Sequence, residues 1–225
     1  MSNKIKDKDK EEEKEPISIK VTFVGNVGVG KTCLVTRLIK DEFDTSNRST
    51  AGANYSKLDL IFNNKKITLD VWDTAGQEKF RTMGRQFYIN SNIIIIVYDI
   101  TKKESFEDIQ NYWYNDVKEN GEKFKVIGIV GNKFDLYDKE GVEEIDDKIV
   151  QKFVDKIKKD KDSKIVKMKV SAKNGTNIKN LLNELINQYF EKEFNTLIKN
   201  YSEERTKSDK LKNNTNNTNK KKTCC

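Results

Sequence analysis

Eight residues, Gly25-Asn26-Val27-Gly28-Val29-Gly30-Lys31-Thr32, stand between the strand-like run ISIKVTFV and the helical run KTCLVTRLIKDEF. That placement leaves a chain few options. A strand must end, the backbone must turn tightly, and a helix must begin at once. Backbone N–H groups in such a turn point inward, and the helix N-terminus adds partial positive charge, so the loop suits phosphate. Lys31 is spaced to reach the β and γ oxygens of a nucleoside triphosphate, and Thr32 to offer a hydroxyl to Mg²⁺. The plainer reading is a flexible turn before a helix.

The rest of the chain alternates strand-like and helical runs. ISIKVTFVG (17–25) opens the series, and YSKLDLIF and KITLDVW read as an antiparallel hairpin about an Asn63-Asn64-Lys65 turn. NIIIIVYDI is a continuous apolar run, as in a strand covered on both faces. A helix over KESFEDIQNYWYNDVKEN ends at Gly121. The strand FKVIGIVG, a helix near 146–159, the strand KIVKMKV and a last helix from about Thr176 to Ile198 follow. This order predicts an α/β fold: a six-stranded, mostly parallel sheet with helices on both faces and ligand at the carboxyl ends of the strands.

The flanks differ. Residues 1–16 are charged, patternless and end at the only proline, so a disordered extension is expected. They contain no apolar stretch of a secretory signal, and no run in the chain approaches the ~20 apolar residues of a membrane span. Three cysteines, Cys33, Cys224 and Cys225, make no disulfide framework, which suits a reducing cytosol. The net charge of +7 is uneven: residues 201–225 carry seven basic and three acidic side chains. Such a tail suits an anionic membrane face or nucleic acid, or is simply solvated. The expected layout is a disordered extension over 1–16, a nucleotide domain over 17–198, and a flexible basic tail over 199–225.

Two further constellations fall in loops at predicted strand ends. Asp73-Thr74-Ala75-Gly76-Gln77 follows KITLDVW. Asp73 is placed to hold Mg²⁺ through water, Gly76 to turn a backbone N–H to the γ-phosphate, and Gln77 to orient the attacking water. Asn132-Lys133-Phe134-Asp135 follows FKVIGIVG. The Asp135 carboxylate can accept from N1–H and the exocyclic amine of guanine, a donor pair that adenine lacks. Each motif alone also reads as a turn.

Taken together, Gly25–Thr32, Thr50, Asp73–Gln77, Asn132–Asp135 and Ser171-Ala172-Lys173 resemble, in order, the five motifs of the Ras-superfamily small GTPases. The resemblance spans roughly residues 17 to 195. It implies a phosphate-loop NTPase fold of the small G domain type. It implies GTP and GDP as ligands, Mg²⁺ held by Thr32, Thr50 and Asp73, and slow intrinsic hydrolysis with Gln77 as catalytic residue. Nucleotide contacts fall on Asn26, Val27, Gly28, Val29, Gly30, Lys31, Thr32, Cys33, Phe43, Thr50, Gly76, Asn132, Lys133, Asp135, Ser171, Ala172 and Lys173. Within that set the resemblance gives Lys133 the face of the base and the Ala172 N–H its oxygen. Phe43 reads either as the aromatic packing on guanine or as a core residue, and Ser171 either as a base contact or as a helix cap.

Within the superfamily, WDTAGQEKFRT (72–82) and VYDIT (97–101) look like Rab signatures. The terminal Lys-Thr-Cys-Cys does not fit a C-a-a-X box. It resembles the Rab double-cysteine site, with Cys224 and Cys225 prenylated. Two lipid chains give stable anchoring, and Lys220–Lys222 add attraction to anionic lipid. The resemblance further implies an effector surface at Tyr55, Trp72 and Phe87. It implies exchange factor, GTPase-activating protein, GTP-dependent effectors, GDP-dissociation inhibitor and prenylation escort as partners. The expected protein is a monomer that binds no nucleic acid and sits on the cytoplasmic face of intracellular membranes, with a cytosolic pool, directing vesicle traffic. Departures lie at Ala51, in GANY (52–55), at Asn47 and in FYINS (87–91), all in partner-reading segments. Val27 takes a place where relatives usually carry a smaller residue, beside the γ-phosphate. A slowly hydrolysing, mostly GTP-bound scaffold is therefore a second reading, against one in which Val27 is neutral. A phosphate-loop kinase would leave Asn132–Asp135 and the tail unexplained.

Overall fold

The computed structural model describes residues 16–44, 50, 52–76, 86–121, 124–137, 139, 143–159 and 163–191. Gln77, Cys224 and Cys225 lie outside the described residues, as do residues 1–15 and the whole of 199–225.

One sheet holds β1 (Ile17–Val24), β2 (Ala53–Phe62), β3 (Lys65–Thr74), β4 (Ile93–Asp99), β5 (Val126–Asn132) and β6 (Lys164–Lys169) in the order β2-β3-β1-β4-β5-β6. Every pairing is parallel except β2 with β3. This is the expected six-stranded, mostly parallel architecture. The hairpin turn is tighter than the sequence suggests. Lys65 already pairs with Phe62, and Asn63 and Asn64 alone make the loop, with φ of 48° and 61°. Two left-handed central residues match the right-handed strand twist, and asparagine tolerates them.

Helix α1 (Lys31–Lys40) and the helix α4 (178–191) cover one face of the sheet. The other face carries α2 (103–120) and α3 (Asp147–Ile157). Strand β4 illustrates why both faces are apolar. Ile93, Ile95 and Val97 pack with Leu34, Leu181 and Leu185, while Ile94, Ile96 and Tyr98 pack with Phe106, Val150 and Phe153. Alternation along a strand sends successive side chains to opposite layers, so a strand between two helical layers needs both sets apolar. Asp146 caps α3, its Oδ1 accepting from Lys148 N–H at 2.8 Å. Helix α2 is not regular: a π-helical turn, Ile109–Trp113, interrupts the α-helical segments Lys103–Asp108 and Tyr114–Asn120.

Strand β1 has β3 on one side and β4 on the other, so connections diverge around it. Its carboxyl end is the switch point of the sheet, where open α/β sheets bind ligands. The chain leaves there through Gly25, whose φ is 135°. A Cβ at Gly25 would strike the Val97 carbonyl of β4.

Candidate nucleotide site

A cleft of about 510 Å³ opens at this switch point. Val27, Gly28, Gly30, Lys31, Thr32 and Cys33 line it from the phosphate loop and the start of α1, with Phe43, Thr50, Thr74 and Gly76 beside them. Asn132, Lys133, Asp135, Leu136, Ala172 and Lys173 complete it from the ends of β5 and β6. Phe43 lines the cleft and, partly buried, packs against the core. Thr74, within the Asp73–Gln77 motif, and Leu136, directly after Asn132–Asp135, line the cleft without having been expected as contacts.

Lys31 is buried, and its ammonium donates to the carbonyls of Gly25 at 2.8 Å and Asn26 at 3.0 Å. Burial lowers its pKa to about 8, partly opposed by the Asp73 charge. A cation held by neutral carbonyls in a cleft is a strong attractor for an anionic group.

Behind it, Thr32 Oγ1 donates to Asp73 Oδ2 at 2.7 Å, and the Thr32 and Thr50 hydroxyls lie 2.7 Å apart. Asp73 is buried, and its Oδ1 has no hydrogen-bond partner. Burial raises its pKa, against the lowering effects of the Thr32 bond and the Lys31 charge. A buried carboxylate oxygen left unpaired beside two hydroxyls fits Mg²⁺. That ion takes one or two carboxylates, hydroxyls, waters and substrate phosphates rather than an all-protein cage.

Gly76 lies directly against the phosphate loop. A Cβ there would come within 2.5 Å of the Asn26 carbonyl oxygen and the Val27 nitrogen. Only glycine permits that approach.

At the base end, Asn132 is the tie between loops. Its Nδ2 donates to the Val29 carbonyl at 2.8 Å, and its Oδ1 accepts from the Ala172 N–H at 3.1 Å. Ser171 Oγ donates to Asp135 Oδ1 at 2.7 Å, holding that carboxylate at the cleft. Lys133 pairs with Asp99 at 2.6 Å. Arg37 of α1 donates to the carbonyls of Ala172 and Lys173, both at 2.8 Å, bracing the Ser171–Lys173 loop.

At four of the expected contact residues the side chain or N–H is taken up by the protein itself. The Val29 side chain is in the core, 1% exposed. Its β-branched side chain fills the sheet–α1 layer, and only its backbone serves the loop. Ser171 is fully buried behind Asp135. The Ala172 N–H is engaged by Asn132. The Asn26 side chain turns into α2. Asp99 and Arg37 also brace the site, and neither is among the expected contact residues. Asp99 carried a signal, an acidic residue closing a wholly apolar strand; Arg37 carried none.

Beside the cleft, Tyr55, Trp72 and Phe87 form a continuous aromatic surface. Ring centroids are 5.2 Å apart for Tyr55–Trp72 and 5.5 Å for Trp72–Phe87. Trp72 is half-buried, with the Lys20 ammonium 5.4 Å above its ring.

A parallel sheet with a glycine-rich loop at its switch point, a buried lysine in that loop and an Asn-Lys-x-Asp loop at the base end defines a Ras-like small G domain. A sequence model of the Ras family matches residues 20–191. The chain is 36% identical to Ras-related protein Rab-22A of Mus musculus, over 74% of this chain and 81% of the relative. It is 36% identical to Ras-related protein Rab-13 of Mesocricetus auratus, over 74% and 77%. Ras-like GTP-binding protein RYL2 of Yarrowia lipolytica is 39% identical over 54% of this chain and 58% of the relative. The chain belongs to the Ras family and, within that superfamily, to the Rab small GTPases. It is a GTPase, converting GTP and water to GDP and phosphate.

Proposed function

We propose that the chain is a membrane-anchored Rab switch that cycles between Mg²⁺-GTP and GDP and directs vesicle traffic. The observation that supports this most is the convergence of five separate loops on one cleft, with the buried Lys31 lining it and the unpaired Asp73 oxygen behind Thr32. In this reading the loop N–H groups and Lys31 hold the phosphates, and Thr32, Thr50 and Asp73 hold Mg²⁺, which neutralises phosphate charge. Asp135, braced by Ser171, selects guanine. Asn132 and Lys133 form the base pocket, with Ala172 and Lys173. Gln77 orients water. Loss of the γ-phosphate releases Thr50 and Gly76, a change that partners can read. Those partners are an exchange factor, a GTPase-activating protein, effectors, a GDP-dissociation inhibitor and a prenylation escort. The switch domain runs over 17–198, between an N-terminal extension and a basic tail, and the protein works at the cytoplasmic face of intracellular membranes.

Prenylation of Cys224 and Cys225 is the anchor in this reading. No helix among the described residues is long and apolar enough to cross a membrane. Each buried lipid carbon stabilises membrane binding by ~0.8 kcal/mol, and each lysine near an anionic surface by about 1 kcal/mol. Two lipid chains therefore outweigh Lys220–Lys222. The expected result is that full-length chain pellets with membranes, while the double Cys224→Ser, Cys225→Ser variant stays soluble and still binds GTP. Pelleting of the double variant would place the anchor elsewhere.

Effector reading is assigned to the Tyr55–Trp72–Phe87 surface. Tyr55 is 48% exposed, so an alanine there removes contact area without opening the core. Tyr55→Ala is expected to reduce capture of GTP-dependent partners about 10-fold or more, in line with an aromatic hot spot, while sparing nucleotide affinity. Equal capture by both forms in a pull-down would rule this surface out.

A further inference from the structure

Asn26 sits in the phosphate loop, but its side chain is held from behind by α2. Its Nδ2 donates to Asp108 Oδ2 at 2.6 Å, and its Oδ1 accepts from Trp113 Nε1 at 2.7 Å. The two partners are five residues apart. On a regular α-helix, positions five apart face directions about 140° from each other. Here the Tyr114 N–H donates to the Ile109 carbonyl, an i→i+5 bond that closes the π-helical turn. The widened turn brings positions five apart onto one side. The irregularity in α2 is thus what lets Asp108 and Trp113 grip the same amide.

The backbone of Asn26 faces the chemistry. Its carbonyl accepts from the Lys31 ammonium at 3.0 Å. Its peptide link to Val27 is the surface on which Gly76 rests, with no room for a Cβ between them. One residue therefore joins α2 to the phosphate-binding lysine and to the glycine placed to sense the γ-phosphate.

We propose that Asn26, Asp108 and Trp113 form a positioning clasp that sets the Asn26–Val27 peptide against Gly76 and Lys31, and so governs how long nucleotide is retained and how fast GTP is cleaved. None of the three residues is among those lining the cleft. They act through the loop backbone and the Lys31 ammonium. The inference rests on the reading of the cleft as the nucleotide site.

The test uses the full-length chain loaded with fluorescent GDP. Trp113→Phe keeps an aromatic, if smaller, side chain and removes the donor. Loss of one neutral hydrogen bond is expected to speed GDP release about 3- to 10-fold. Asn26→Asp sets two carboxylates against each other and is expected to speed release at least about 10-fold. Adding Asp108→Asn to it restores a donor and an acceptor, and release should return to within about 2-fold of wild type. Single-turnover GTP hydrolysis should fall and recover in the same order. Mere packing of α2 predicts no such rescue, because Asp108→Asn adds no apolar contact. Unchanged release and hydrolysis in Trp113→Phe and Asn26→Asp would overturn the clasp, as would a double variant no better than Asn26→Asp. Failure of the wild type to bind GDP at all would overturn the nucleotide site itself, and the clasp with it.

Discussion

Asp135→Asn is expected to weaken GTP binding by ~10³- to 10⁴-fold and to improve binding of xanthosine triphosphate. The carboxylate lines the cleft, and Ser171 Oγ fixes its Oδ1 at 2.7 Å. Each carboxylate oxygen has two acceptor sites, so both oxygens remain able to accept from the guanine edge. The amide turns one acceptor into a donor. A guanine then meets a donor facing its own exocyclic amine, and a buried polar pair is lost. Sites that hydrogen-bond a specific ligand group reject analogues that leave it unpaired by ~10⁴-fold or more. Xanthine carries an oxygen where guanine carries the amine, and the new donor suits it. Ser171 can donate to the amide oxygen as it does to the carboxylate, so the loop is expected to keep its shape. The measurement is competition of GTP, ATP and xanthosine triphosphate against fluorescent GDP, for wild type and variant. Unchanged GTP affinity in the variant would remove Asp135 from base recognition. Equal competition by ATP in the wild type would argue against guanine selectivity altogether.

How much of this site the sequence discloses depends on how local the geometry is. The phosphate loop is written in one contiguous run, because the turn, its glycines and the helix start are neighbours in the chain. The braces around it are not. Lys133 reaches Asp99 because β4 and β5 pair with Asp99 opposite Asn132. No property of the run VYDIT announces that register. Ser171 behind Asp135, and Arg37 behind Ala172, likewise depend on the order of strands and on the side where α1 lies. Short motifs name the groups that touch ligand, and the tertiary fold chooses the groups that hold them still.

The same division runs through the fold. Strand β4 is legible because four consecutive isoleucines have few alternatives. The start of β2 is not: Ala53 and Asn54 carry weak strand propensity, and they are strand because β3 continues past Trp72 to Thr74 and offers them partners. The π turn in α2 is invisible to periodicity, since a single widened turn leaves the buried set Phe106, Ile109, Trp113 and Val117 looking helical. Its purpose lies across the interface, at Asn26.

Val27→Ser is expected to hydrolyse GTP faster than the wild type in a single turnover, by about 10-fold or more once an activating protein is present. Val27 lines the cleft and is 50% exposed, on the part of the loop against which Gly76 packs. Gly76 immediately precedes Gln77 in the chain. An isopropyl group there cannot hydrogen-bond the attacking water, and its β-branch restricts rotation away from it. It also takes up space that an inserted arginine would need, and that arginine is worth ~10³–10⁵ in kcat. A small displacement therefore carries a large cost in rate. Nucleotide affinity is expected to change little, since the loop holds phosphate through backbone N–H groups and the buried Lys31. The wild type would then persist in the GTP-bound state, as a slow switch that keeps its effectors engaged. Half-exposure also leaves Val27 a way out: the loop can tilt it toward solvent, in which case serine gives no gain. Equal hydrolysis by wild type and variant, with and without an activating protein, would mean that the tilt occurs and that the chain switches at the pace of its relatives.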